Sequence, residues 1–158
     1  MRRTARHLRY PIGCDIGCDV RLVLDANIVV AALRSRRGAS NALLGEVDAG
    51  RALLLVTPAL FFEYEAVLKR PEHRLAHGLE IEQIDDFLDD LATLCDLIEP
   101  NFTWRPLLTD ADDEMVAEAA LNSGAHAIVT HNVRGFAPVR NFGVKIWTPA
   151  QALKGLVP

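Results

Sequence analysis

The chain predicts an α/β fold with a mostly parallel central sheet covered by helices on both faces. Short apolar runs of β-type residues occur at 21–24 (RLVL), 53–57 (LLLVT), 126–130 (HAIVT) and 143–147 (GVKIW). Longer segments between them carry apolar residues at helical spacing. Short apolar strands alternating with helices are the pattern of a parallel sheet buried on both sides.

Taken in order, strand 21–24 ends at Asp25, and helices follow over 28–34 and 39–49, punctuated by Gly38 and Gly50. Strand 53–57 leads into Pro58, which opens a helix because its missing N–H costs nothing there. That helix runs to about Lys69 and stops before Pro71. Ile81, Ile84, Phe87, Leu88 and Leu91 form a helical stripe over 80–94. A short strand is expected at 96–99, and an Ala-rich helix over 111–123. Strands 126–130 and 143–147 follow, and Thr148-Pro149 signals the cap and first turn of a last short helix.

The 158 residues fit one domain, and half of them are apolar, enough for a sizeable core. Residues 1–19 mix Arg, Gly, Pro and Cys without periodicity. They read as a flexible extension, or as the product of a misassigned start codon, ahead of a domain at 20–158. The opening MRRTARHLRY has four arginines but no apolar stretch after it, so a secretory signal is not expected. No apolar run reaches the ~18 residues of a membrane span. Three cysteines (Cys14, Cys18 and Cys95) do not make a disulfide framework and suit a reducing cytoplasm. Cys14 and Cys18, with His7 upstream, lack the usual zinc spacing and read as free thiols.

The net charge of −4, from 17 basic and 21 acidic residues, argues against duplex binding through a broad basic face. It does not exclude a metal nuclease, whose site is itself built from carboxylates. Arginine (14) far outnumbers lysine (3), and arginine forks suit phosphate.

In folds of this class ligands bind beyond the carboxyl ends of the strands. Four segments place polar oxygens there. Asp25 and Asn27 follow the first strand; the bland reading of Asp25 is a helix N-cap. In the helix after the second strand, Glu65 lies four residues before Lys69, the spacing of a solvated ion pair, whereas Glu63 falls at the margin of the apolar face and is the better candidate. Asp110, Asp112, Asp113 and Glu114 crowd one helix start. Capping and the helix dipole account for some of this, and Asp110 with Asp113 resembles a capping box, but like charges so close call for a cation. Asp113, three before Val116, falls on the buried side. Thr130, His131 and Asn132 follow a late strand, and His131 reads as structural or exposed before catalytic. Oxygen ligands select hard cations such as Mg²⁺ or Mn²⁺. No dinucleotide or nucleoside-triphosphate phosphate cradle is present, and no nucleophile elbow.

The blocks VRLVLDANIVVAAL, TPALFFEYEAVLKRPEH, TDADDEMVAEAAL and HAIVTHNVRGF, in this order, resemble the PIN-domain nucleases, and among them the VapC-like toxin components of bacterial toxin–antitoxin pairs. The resemblance covers about residues 20–150 and implies a three-layer α/β/α sandwich, with Asp25, Glu63 and Asp113 holding Mg²⁺ or Mn²⁺. It implies an endoribonuclease that leaves a 5′-phosphate and a 3′-hydroxyl, an antitoxin partner and a homodimer. The family's fourth acid falls on Asn132, preceded by Thr130. An amide oxygen there can ligate an ion or position water but brings no charge, which puts a second ion in doubt; Asp110 or Asp112 would compensate as outer ligands. Asn27 would orient water, and Arg34, Arg36, Arg37 and Arg134 would contact backbone phosphates. Three alternatives stand beside the nuclease. A PIN-like module that binds RNA or protein without turnover is favoured by Asn132. An aspartyl phosphatase is disfavoured because Asn27 stands where a second Asp is needed. A receiver domain is disfavoured because Lys145 lies inside the last strand.

Overall fold

A computed structural model of the chain describes residues 20–103 and 105–156; the predicted extension at 1–19 and the Cys14–Cys18 pair lie outside them. Five strands, β1 (Arg21–Leu24), β2 (Leu53–Val56), β3 (Cys95–Leu97), β4 (Ala127–Val129) and β5 (Lys145–Trp147), pair in the order β3-β2-β1-β4-β5. Every pairing is parallel. The sheet is flanked by helices α1 (Ala26–Arg34), α2 (Ala39–Asp48), α3 (Pro58–Leu68), α4 (Pro71–His77), α5 (Ile81–Ala92), α6 (Ala111–Ser123) and α7 (Pro149–Gly155). This is the α/β sandwich that the sequence predicts.

The three central strands are buried almost throughout, with Leu22, Val23, Leu24, Leu54, Leu55, Val56, Ala127, Ile128 and Val129 all in the core. Side chains of successive strand residues point to opposite faces, so uninterrupted burial means both faces are covered. The edge strands differ: in β3 Asp96 and Leu97 are exposed, and in β5 Lys145 is. Helix caps follow local chemistry. Thr57 accepts a hydrogen bond from the Leu60 N–H, with Pro58 at the first helical position. Thr148 and Gln151 form a reciprocal capping box at α7, and Glu80 and Gln83 form another at α5.

Two elements were not foreseen, and one expectation needs correction. Pro71 does end α3, but it also opens α4, with Arg70 in an extended conformation before it and Gly78 at φ +72° closing it. A 3-10 helix at Ala137–Phe142 lies where no element was expected. Asp110 and Asp113 form no capping box: Asp110 caps α6 by accepting from the Asp112 N–H. Smaller shifts put β3 at 95–97 rather than 96–99, and start α1 at Ala26 rather than at 28.

Connections from β1 lead through β2 to the β3 edge, and the chain then returns to add β4 and β5 on the other side of β1. The strand order therefore reverses between β1 and β4. Beyond the carboxyl ends of these two strands no crossover covers the sheet, and a crevice is left.

Candidate metal centre

Leu24 and Val129 are paired residues of β1 and β4, so the residues that follow them, Asp25 and Thr130, emerge side by side. The Asp25 N–H bonds to the Val129 carbonyl at 3.0 Å, continuing the ladder one step. The end of β1 is held from the other side by Tyr64, whose buried hydroxyl donates to the Leu24 carbonyl at 2.5 Å. Thr130 is fully buried and its hydroxyl donates to Asp25 Oδ2 at 2.7 Å. Asp25 occupies the N-cap position of α1, but its side chain makes no full cap bond; its hydrogen bond crosses the sheet to Thr130 instead.

A cleft of 490 Å³ opens here. Asp25, Glu63, Asp110, Asp112 and Asp113 line it together with Asn27, and Arg34, Arg70, His73 and His131 face the same space. Its apolar wall comes from Val30, Ala31 and Val67. Arg36, Arg37 and Arg134 are exposed and do not line the cleft. Arg70 and His73 were not foreseen; both belong to the start of α4.

The four acids at the start of α6 have four different surroundings. Asp110 caps the helix, Asp112 is exposed at the cleft, and Asp113 is buried at it. Glu114 points inward, where Oε1 accepts the N–H groups of Leu107 (2.6 Å) and Leu108 (2.7 Å) and holds the preceding loop against α6. Glu114→Ala strands these two donors. It is expected to cost about 2–4 kcal/mol in urea unfolding, while Asp112→Ala stays near neutral; equal effects of the two would contradict the division of roles.

Electrostatics separate the carboxylates. Burial raises the Asp25 pKa, opposed by the Thr130 hydrogen bond, the N–H groups of Asn27 and Ala26, and His131. Burial and the charges of Asp25 and Asp110 push Asp113 up to about 6, with Asp112 adding to this and the Asn132 hydrogen bond opposing it. Glu63 is turned toward Arg70, at 3.4 Å, whereas Glu65 and Asp85 both hold Lys69 at 2.6 Å, away from the cleft. Burial pushes the Cys95 thiol up to about 12, which favours its protonated form.

Asn132 meets the acids through nitrogen rather than oxygen. Its Nδ2 donates to Asp113 Oδ2 at 3.2 Å, and its Oδ1 accepts from the Gly135 N–H at 3.3 Å. The opposite amide orientation would set oxygen against carboxylate. The predicted ligating or water-positioning oxygen is thus engaged within its own loop.

Asp113 is partly desolvated and lies in the field of Asp25, Asp110 and Asp112, and a cation beside it would relieve that crowding of negative charge. All the acidic donors are oxygens, which fits a hard divalent ion. Among the described residues no three of His, Cys, Asp and Glu form a preformed cage. Mg²⁺ does not require one, because it commonly keeps several waters and uses one or two carboxylates.

Residues 21–134 match the family profile described as PIN domain. A chain in the crystal structure of VapBC2 from Rickettsia felis bound to a DNA fragment from their promoter is similar in fold, with a TM-score of 0.57 and 17% sequence identity over 81% of this chain and 98% of that one. No curated protein matches the chain. The matched residues run from β1 through β4 to Arg134 and contain every acid of the cleft, and on this evidence the chain belongs to the PIN-domain family.

Proposed function

We propose that the chain is a metal-dependent endoribonuclease, the toxin of a toxin–antitoxin pair. The observation that carries this reading is one cleft, at the reversal of strand order, that Asp25, Glu63 and Asp113 line together with Arg34, Arg70 and His73. A phosphodiester in the presence of a divalent cation needs both halves: carboxylates for the cation and guanidinium groups for the phosphate oxygens.

Asp25, Asp113 and Glu63 would hold Mg²⁺ or Mn²⁺, with Asp110 and Asp112 as outer acceptors. When bound, such an ion offsets charge on the phosphate and lowers the pKa of a coordinated water. Thr130 holds the Asp25 carboxyl group and Asn132 that of Asp113, each through Oδ2, and Asn27 would orient water at the cleft. Arg34, Arg70 and His73 grip phosphates, with Arg36, Arg37 and Arg134 further out along the strand. Hydrolysis adds water across the P–O3′ bond: hydroxide joins phosphorus to give a 5′-phosphate, and the proton leaves on the 3′ oxygen. An antitoxin segment covering the cleft, a homodimer and a cytoplasmic location belong to this reading. Among the described residues no helix is long and apolar enough to cross a membrane.

A labelled structured RNA incubated with Mn²⁺, Mg²⁺ or EDTA tests the proposal. Cleavage that EDTA abolishes supports it. A second reading, a module that binds RNA without turnover, is favoured by the neutral Asn132 at the fourth position; metal-independent binding without cleavage, from folded protein, would select it. Arg70 gives a finer test. Arg70→Ala removes one phosphate contact, so the slope of log K against log salt for single-stranded RNA should flatten by about 0.7. An unchanged slope would mean that Arg70 serves only Glu63.

A further inference from the structure

We infer that Gly135 is a positioning residue of the acidic cleft, whose missing side chain leaves the notch in which the Asn132 carboxamide is held against Asp113. A Cβ built on Gly135 would lie 2.3 Å from Asn132 Nδ2, 2.9 Å from Asn132 Cγ and 3.1 Å from Asp113 Oδ2. The first two distances are too short for any real contact. Glycine is needed here for space and not for backbone shape: the positive-φ glycines are Gly50, Gly78, Gly124 and Gly143, and Gly135 is not among them.

The same residue supplies the other half of the grip. Its N–H donates both to the Asn132 backbone carbonyl, at 3.1 Å, and to Asn132 Oδ1, at 3.3 Å. The Asn132 N–H in turn donates to Thr130 Oγ1 at 2.9 Å, and that hydroxyl donates to Asp25. A continuous hydrogen-bonded chain therefore runs from Asp113 through Asn132 and Thr130 to Asp25, linking carboxylates from α6 and β1. Phe136, fully buried, anchors the next residue, so the backbone at 135 has little freedom to retreat. An added methyl would displace the end of the exposed Asn132 side chain rather than move the loop. A preference for Gly at the last position of a turn would explain the residue type, but not a clash that falls on the one amide bonded to Asp113.

The consequence for a cation rests on the nuclease reading; the notch itself does not. In the full chain, Gly135→Ala should shift the Asn132 side-chain NH₂ resonances of the cation-free protein to those of a free amide, with the unfolding temperature nearly unchanged. Mn²⁺ affinity should weaken by about 10- to 100-fold, the usual effect of losing a group that orients a ligand. Asn132→Ala should weaken it equally, and the double variant no further, because both changes break one contact. Unmoved Asn132 resonances in Gly135→Ala, or Mn²⁺ effects that multiply in the double variant, would overturn the inference. If the parent protein binds no Mn²⁺, the nuclease reading fails and the amide resonances alone decide the notch.

Discussion

Asp25→Asn is expected to lower RNA cleavage by at least about a hundredfold while leaving the protein folded. Loss of a group that merely orients a metal ligand costs 10- to 100-fold, and on the proposed function Asp25 is itself the ligand at the strand-order reversal. Retention of the fold follows from its surroundings. Asp25 is buried and its carboxyl is raised by that burial, so the charge opposes folding in the cation-free protein. An Asn carbonyl can still accept the Thr130 hydroxyl and carries no charge to desolvate. Circular dichroism melts alongside cleavage rates decide the matter. Full activity in a folded Asp25→Asn variant would remove Asp25 from the site, and loss of activity with loss of fold would assign it a structural role.

The second large effect is on pH. Asp113 is held at about 6 in the folded protein, against roughly 3.9 in an unfolded chain. Between these values the folded state binds the proton more tightly. The stabilisation from a neutral Asp113 is therefore complete below about 4, declines as pH rises through 6, and is absent above that. Asp25 shifts in the same direction. Cations need the deprotonated carboxylates, so their binding follows the opposite course. The rise in unfolding temperature produced by Mn²⁺ should be large at pH 7.5 and small at pH 5. Asp113→Asn should raise the unfolding temperature of the cation-free protein at pH 7.5 by a few degrees, since ~1 kcal/mol corresponds to about 2–4 °C at this size. The same variant should lose both cleavage and the Mn²⁺ response. An equal Mn²⁺ response at both pH values would show that Asp113 does not titrate in this range, or does not meet the ion.

Much of the fold was legible because the signals are local. RLVL and LLLVT are strands by composition, and Thr57-Pro58 and Thr148-Pro149 open helices by chemistry contained within a few residues. Helix α4 had such signals too, Pro71 at its start and Gly78 at its end. It was missed because PEHRLAH has no buried residue and so shows no apolar period. Missing α4 concealed Arg70 and His73, half of the basic side of the cleft. Exposure of Arg36, Arg37 and Arg134 outside the cleft was equally invisible, because the direction of a surface side chain depends on what surrounds it.

The sequence by itself determined the α/β class, the strand ends that carry Asp25 and Thr130, and the placement of Asp113 on the inner side of α6. It does so because helix and strand periods, caps and prolines act over three or four residues. Tertiary structure alone decided that Asp25 meets Thr130 across 105 positions, that Glu114 serves a loop while its neighbour Asp113 faces the cleft, and that Asn132 turns its nitrogen to the acids. Those contacts depend on β1 pairing with β4 and on the packing of α6 beside them. The cost of burying each polar group makes the final orientation depend on whichever partner the fold brings within reach.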